Sequence, residues 1–316
     1  MEVPEPPAAY RNSTQLVFPD YEEASKDWNH DQQHIRALSF IADDPLYLTE
    51  KSFCINIPLP SGQPRSNLTF DKRLVEFCSA RAREATFSLD KNGFCFVKMP
   101  ELSVDLHDTQ ALRSVFIAEM EQWLQDRFKA DLVQVFDYTL RQVKPFGYSY
   151  NDKEPRPPAN AAHIDQTPGA AVRRMTLHLQ KDLTEFYNGR IQLVNLWRAL
   201  NGPLKDSLLS VCDSRTIERQ DLMEHDLVFP HYVGENFQLK YNPKQRWYFL
   251  DGMEADEAVL FKNFDSMTDG RARLCPHGSF KRDPPQPHDE NEVMRASIEI
   301  RAIIFHKKAP LASGGE

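Results

Sequence analysis

The chain has 316 residues, a formal charge of −8 from 38 basic and 46 acidic side chains, and a composition that is 41% apolar and 27% charged. This is the make-up of an ordinary globular protein; with no basic block it excludes a general binder of phosphate backbones, and with no run of ~18 apolar residues it offers no membrane-spanning helix. Five cysteines, Cys54, Cys78, Cys95, Cys212 and Cys275, are odd in number and form no CxxC pair, which argues against a disulfide framework or a zinc knuckle and for a reducing compartment. The start, Met1 to Pro7, lacks the basic and apolar regions of a secretory leader, so the cytoplasm is the expected location.

In chain order, residues 1–84 read as an N-terminal arm with short strands such as Phe53 to Pro58. Residues 85–130 read as a supporting strand, Phe94 to Val97, followed by a helix from about Asp108 to Phe128. Its apolar positions Leu112, Val115, Phe116, Met120, Trp123, Leu124 and Phe128 recur at three and four. From 131 to 306 the period becomes strand-like: Leu132–Phe136, Ile191–Trp197, Phe237–Tyr241, Trp247–Leu250, Val259–Phe261 and Ser297–Phe305. Turn pairs separate these strands and little helical pattern lies between them, so a β-sandwich or double-sheet jelly roll is expected within a single domain of 1–316, residues 307–316 forming a tail. Two proline-rich loops stand out, Glu154 to Pro158 and Asp283 to Pro287.

His163-Ile164-Asp165 is the first triplet with chemistry in it. In an extended segment residues i and i+2 project to one side, so an imidazole and a carboxylate share a space. His277 is the candidate third donor, completing a two-His, one-carboxylate face that leaves open positions and suits Fe(II) with a chelating cosubstrate and O2. Arg295 and Ser297 open the last strand on one face. A planar guanidinium with a hydroxyl beside it matches the distal carboxylate of 2-oxoglutarate, although a surface ion pair is the plain alternative for such an Arg.

Several segments resemble the hydroxylase/desaturase family of the AsaB type, related to gibberellin desaturase and a cephem methoxylase component. They include Asp137 to Arg141, His163 to Pro168, Asn195 to Pro203, Cys212 to Arg215, Tyr241 to Pro243, Lys262 to Ser266, Asp269 to Arg273, Pro276-His277 and Ser297 to Ala302, in one order across roughly 85–306. The resemblance implies a mainly β chain with flanking helices whose core, 131–306, is a double-stranded β-helix. It also implies Fe(II), 2-oxoglutarate and O2, and hydroxylation or desaturation of a small-molecule secondary metabolite. By matched position His163, Asp165 and His277 take the metal, while Arg295 and Ser297 take the cosubstrate.

Arg301 shares strand parity with Arg295 and is its rival as carboxylate anchor, although its mid-strand place suits a structural ion pair with a neighbouring carboxylate instead. Asn195, Tyr241 and Arg141 are further cosubstrate candidates, and Trp197 and Phe264 are candidates to line the substrate pocket, although strand aromatics mostly fill cores. Cys275 departs from the family pattern and, two residues before His277, would share its face as a fourth ligand; a small buried thiol is the plain reading. His178, His225, His231, His288 and His306 have no matched partner and read as surface or core histidines. Two other classes compete with the oxygenase. One is a catalytically silent homologue that pairs with an active chain, leaving room for a homodimer or heterodimer. The other is a zinc hydrolase, for which no HExxH exists.

Overall fold

Side-chain alternation along the late strands sets the architecture, because it gives one sheet a wholly apolar face and a partly polar one. The computed structural model describes residues 16, 18, 21–28, 33–101, 109–143, 155–179, 184–282 and 294–307. Its strands are β1 (Gln33–Ile41), β2 (Ser52–Ile55), β3 (Phe70–Ser79), β4 (Phe94–Lys98), β5 (Leu132–Gln142), β6 (His163–Ile164), β7 (Arg190–Ala199), β8 (Ser207–Cys212), β9 (Leu222–Phe229), β10 (Tyr232–Leu239), β11 (Trp247–Phe249), β12 (Glu257–Asp265), β13 (His277–Lys281) and β14 (Ala296–His306). They form a nine-stranded sheet, β1-β3-β11-β8-β13-β6-β10-β9-β2, and a five-stranded sheet, β4-β12-β7-β14-β5. Two facing, largely antiparallel sheets with mostly non-sequential neighbours make the expected double-stranded β-helix.

On β14, Ile298, Ile300, Ala302 and Ile304 point away from the nine-stranded sheet. They join Val194 and Leu196 of β7 and Ala258 and Leu260 of β12 beneath a helix. That helix runs from Thr109–Ala111 through a π-helical turn, Leu112–Phe116, into Ile117–Phe128. Its Leu112, Phe116, Met120 and Leu124 are the buried members of the expected stripe. Each such side chain contributes ~1.5–3 kcal/mol by leaving water, which anchors the sheet's back and fixes the register of its front.

The front of the five-stranded sheet carries Trp197 and Phe261 into a core shared with Phe77, Phe237, Trp247 and Phe280 of the nine-stranded sheet. One end is closed by Pro168–Leu179 and Thr184–Tyr187, two helices absent from the sequence reading. Met175, Leu179 and Phe186 pack there on Leu193, Ile303 and Phe305. The first of these helices follows Thr167, whose Oγ1 accepts from Ala170 N at 3.1 Å as an N-cap does. β1 and β3, nine and ten residues long, extend the larger sheet rather than lying on it as short strands. Of the proline-rich loops, Asp283 to Pro287 lies outside the described residues, and in the other Arg156 bridges Arg141 on the free edge of β5.

Candidate active site

Pairing of β6 with β13 places His163 directly opposite His277, so the sheet ladder brings the two imidazoles together, ring centroids 4.4 Å apart. Asp165 leaves β6 with its backbone N–H donating to Asn263 Oδ1 at 3.0 Å. Its Oδ1 lies 3.4 Å from His163 Nε2 and 3.9 Å from His277 Nε2. One ligand-type atom from each residue falls within 4.8 Å of the other two.

The other ring nitrogens are engaged: His163 Nδ1 contacts Ala161 O at 2.8 Å and His277 Nδ1 contacts Cys275 O at 3.2 Å. A carbonyl oxygen only accepts, so each Nδ1 carries a proton and donates, and Nε2 is the nitrogen each ring turns to the shared space, where a neutral ring has its lone pair. His277 Nε2 is buried and has no hydrogen-bond partner. An orphaned acceptor costs ~1–3 kcal/mol, and here it faces a carboxylate oxygen, so a cation is what the three groups lack. Burial, with His163 beside it, pushes the His277 imidazolium pKa down to about 3. Burial alone would raise Asp165, but Arg301 first and then the two histidines outweigh it and hold the carboxyl well below its ordinary value. At neutral pH His277 is a neutral imidazole and Asp165 a carboxylate, and with His163 opposite they make a two-His, one-carboxylate set that fits Fe(II) with positions to spare.

The second oxygen of Asp165 is already occupied. Oδ2 accepts from Asn195 Nδ2 and from Arg301 Nε, each at 2.8 Å. Glu299 Oε1 closes the network, 2.9 Å from Asn195 Nδ2 and 2.5 Å from Arg301 Nη2. Arg301 also donates to Thr139 Oγ1 at 2.9 Å and Asp137 Oδ2 at 3.1 Å. Oδ1 alone is left for the shared space, and Asp165 is aimed by outer partners as ligating carboxylates are.

Arg295 is 1% exposed, yet among the described residues no carboxylate lies within ion-pair distance of it. Nη1 donates to Ser279 Oγ at 3.0 Å, Ser207 O at 3.2 Å and Ser207 Oγ at 3.3 Å, and Nη2 to Ser297 Oγ at 3.4 Å. Its guanidinium carbon stands 5.0 Å from the centre of the Trp197 ring. Burial brings its pKa down to about 10, and Nε has no partner. A cavity joins Arg295 to both histidines, walled by Trp197, Ser279, Glu299, Arg141, Ala159, Leu209 and Gly278.

The structure thus gathers His163, Asp165, His277, Arg295, Ser297 and Trp197 around one space and moves other candidates out. Arg301 and Asn195 are spent on Asp165 and Glu299, so neither is free as a carboxylate anchor. Tyr241 lies beyond the end of β10, 40% exposed, edge-on to Phe40 and beneath Arg73. Phe264 follows a bulge in β12 and turns into the end plug with Ile303 and Phe305. Cys275 precedes β13, so strand parity does not apply; its thiol points at the carbonyls of Cys212 and Pro276, each 3.5 Å away. Of the remaining histidines, His306 bonds Phe128 O, His225 bonds Ser52 Oγ, His178 lies against Phe136, His231 is exposed and His288 is outside the described residues.

Glu299 was not singled out in the sequence, although Arg295, Ser297, Glu299 and Arg301 alternate along one strand and its parity was the available signal. Ser207 and Ser279 carried no signal, because β8 and β13 meet Arg295 only in the folded chain.

A double-stranded β-helix holding a two-His, one-carboxylate cluster beside a buried guanidinium defines the class of mononuclear non-haem metal oxygenases. The chain belongs to the family described as oxidoreductase/YMDC permease-like domain, whose model matches residues 38–305. It is 29% identical over 260 residues to the hydroxylase/desaturase efuI of Hormonema carpetanum, covering 76% of this chain and 86% of the relative. It is 29% identical over 267 residues to the Fe(II)/2-oxoglutarate-dependent dioxygenase nvfI of Aspergillus novofumigatus, covering 81% and 92%. The solved structure of the iron and alpha-ketoglutarate-dependent endoperoxidase NvfI matches with a TM-score of 0.76 and 25% identity, over 87% of this chain and 98% of that one. Among the described residues no helix is long and apolar enough to cross a membrane.

Proposed function

We propose that the protein is an Fe(II)- and 2-oxoglutarate-dependent dioxygenase that hydroxylates or desaturates a small-molecule secondary metabolite. His163 Nε2, His277 Nε2 and Asp165 Oδ1 hold the metal, and Arg295 with Ser297 holds the distal carboxylate of 2-oxoglutarate. The observation that carries this reading is one cavity lined at once by the Nε2 of buried His277 and by a buried Arg295, the first without a hydrogen-bond partner and the second without a carboxylate among the described residues. Iron so bound supplies, with 2-oxoglutarate and O2, the oxidation of an unactivated C–H bond.

The chain's own residues do the placing. The Nδ1 bonds to Ala161 O and Cys275 O lock both imidazoles in the tautomer that ligates. Arg301 and Asn195 engage Asp165 Oδ2, so only Oδ1 would be offered to a metal. Arg295, desolvated and backed by the Trp197 ring, meets a carboxylate without competition from water. A silent partner subunit would have no use for five such groups converging on one space. The test is to supply iron-loaded protein with 2-oxoglutarate, O2 and candidate metabolite extracts. Succinate formation that a specific extract accelerates, and that His277→Ala abolishes, is expected; succinate no higher than in the His277→Ala control with every extract would overturn the reading.

A further inference from the structure

Charge bookkeeping around the cavity leaves one cation unexplained. Three guanidiniums reach this region. Arg301 is neutralised by Asp165, Glu299 and Asp137. Arg295, on the reading above, takes the distal carboxylate of 2-oxoglutarate. Arg141 remains: on β5 it sits directly opposite Ser297 of β14, and directly opposed residues of an antiparallel pair project to the same face. It therefore points into the barrel and lines the same cavity as His163, His277 and Arg295.

Arg141 has little to hold it there for structural reasons. Its Nη1 donates to Pro157 O at 2.8 Å, and among the described residues no carboxylate lies within ion-pair distance. A half-buried guanidinium facing a cavity with only a carbonyl for partner is under-neutralised. Register makes its level intermediate: Ser297, its partner, falls between Arg295 and Glu299 in the alternation of β14, and Glu299 shares Asn195 and Arg301 with the metal-type carboxylate Asp165.

We infer that Arg141 is the second carboxylate-binding residue of the cavity and takes the metal-side carboxylate of 2-oxoglutarate, the one adjoining the keto group. Two under-neutralised guanidiniums along one cavity match a dicarboxylate, and a guanidinium supplies the planar two-donor fork that a carboxylate accepts. The Arg141 bond to Pro157 O also ties β5 to the 155–160 segment that leads into His163, so ligand capture and placement of the metal-type cluster meet at one side chain. This inference rests on the dioxygenase reading and deepens it.

The experiment separates the two ends of the ligand. Full-length, Fe(II)-loaded protein is titrated anaerobically with 2-oxoglutarate and with 2-oxopentanoate, which keeps the keto acid but lacks the distal carboxylate. Arg141→Gln is expected to weaken both ligands by about tenfold or more, the loss of a charge-assisted bond, and Arg141→Lys by less, because the charge stays. Arg295→Lys is expected to weaken 2-oxoglutarate and leave 2-oxopentanoate as in the unaltered protein. Circular dichroism of each variant checks the fold, and the Lys variant carries the test if the Gln variant does not fold. Unchanged affinity for both ligands in a folded Arg141 variant would overturn the inference and leave the dioxygenase reading standing. Failure of the unaltered iron-loaded protein to bind 2-oxoglutarate would overturn both.

Discussion

Replacing Arg301 by Gln tests whether the metal-type cluster is held by its surroundings. The guanidinium lies 2.8 Å from Asp165 Oδ2 and 2.5 Å from Glu299 Oε1, whose side chains are 12% and 6% exposed. Its third carboxylate, Asp137, is 47% exposed and adds little. Removing the cation leaves two buried carboxyl groups uncompensated, a loss of ~3–5 kcal/mol in the metal-free protein. That is a large part of the ~5–15 kcal/mol that holds a typical domain folded. Loss of an outer partner also weakens a metal site by ~10–100-fold. At a metal concentration of ~100 Kd the unaltered protein gains ~2.7 kcal/mol, and a variant with a hundredfold weaker site gains only ~0.4 kcal/mol. Urea unfolding with and without Mn(II) reads both numbers. A drop below ~1 kcal/mol without metal, or full metal stabilisation in the variant, would refute the argument that Arg301 is what keeps Asp165 charged and aimed.

Arg295→Lys should weaken 2-oxoglutarate binding by ~10–100-fold, because a point charge replaces a fork held by Ser279, Ser207 and Ser297; equal affinity by calorimetry would move the anchor elsewhere. Cys275→Ser should leave metal content unchanged, since the thiol faces two carbonyls and not the cluster; lost iron by elemental analysis would return Cys275 to the ligand set. His225 is buried and its pKa is pushed down to about 4 by that burial. The unfolded chain therefore binds a proton near pH 6.5 that the native state refuses, and stability should fall as pH drops from about 6.5 to about 4, by up to ~3 kcal/mol. Buried His277, with its pKa pushed down to about 3, adds a slope of the same sign, so His225→Gln should reduce that part of a denaturation-against-pH curve by about one proton without flattening it, and an unchanged slope would remove His225 as a contributor.

The β core was legible because its strands alternate cleanly: Ile298, Ile300, Ala302 and Ile304 against Arg295, Ser297, Glu299 and Arg301 is a period of two that helices do not give. The metal-type cluster was legible because His163 and Asp165 sit two apart in an extended segment. What escaped the sequence depends on contacts between distant strands. Arg301 and Arg295 share parity, and only the approach of β6 on one side and of β8 and β13 on the other separates the outer partner of Asp165 from the residue left without a carboxylate. The bulge at Asn263, between Lys262 and Phe264, turns Phe264 into the end plug, and a single Asn inside a strand-like run does not by itself announce a bulge. The Pro168–Leu179 helix went unread because Ala171, Met175 and Leu179 form a narrow stripe among polar residues, and only packing against Leu193, Ile303 and Phe305 completes it.

The central claim is that His163, Asp165 and His277 form a metal site open to 2-oxoglutarate, and anaerobic spectroscopy reaches it most directly. Protein given one equivalent of Fe(II) and then 2-oxoglutarate should develop a visible charge-transfer band that saturates at one ligand per chain, with neither partner sufficient alone and with the band lost in His163→Ala. No band in folded, iron-loaded protein, or an undiminished band in His163→Ala, would contradict the account.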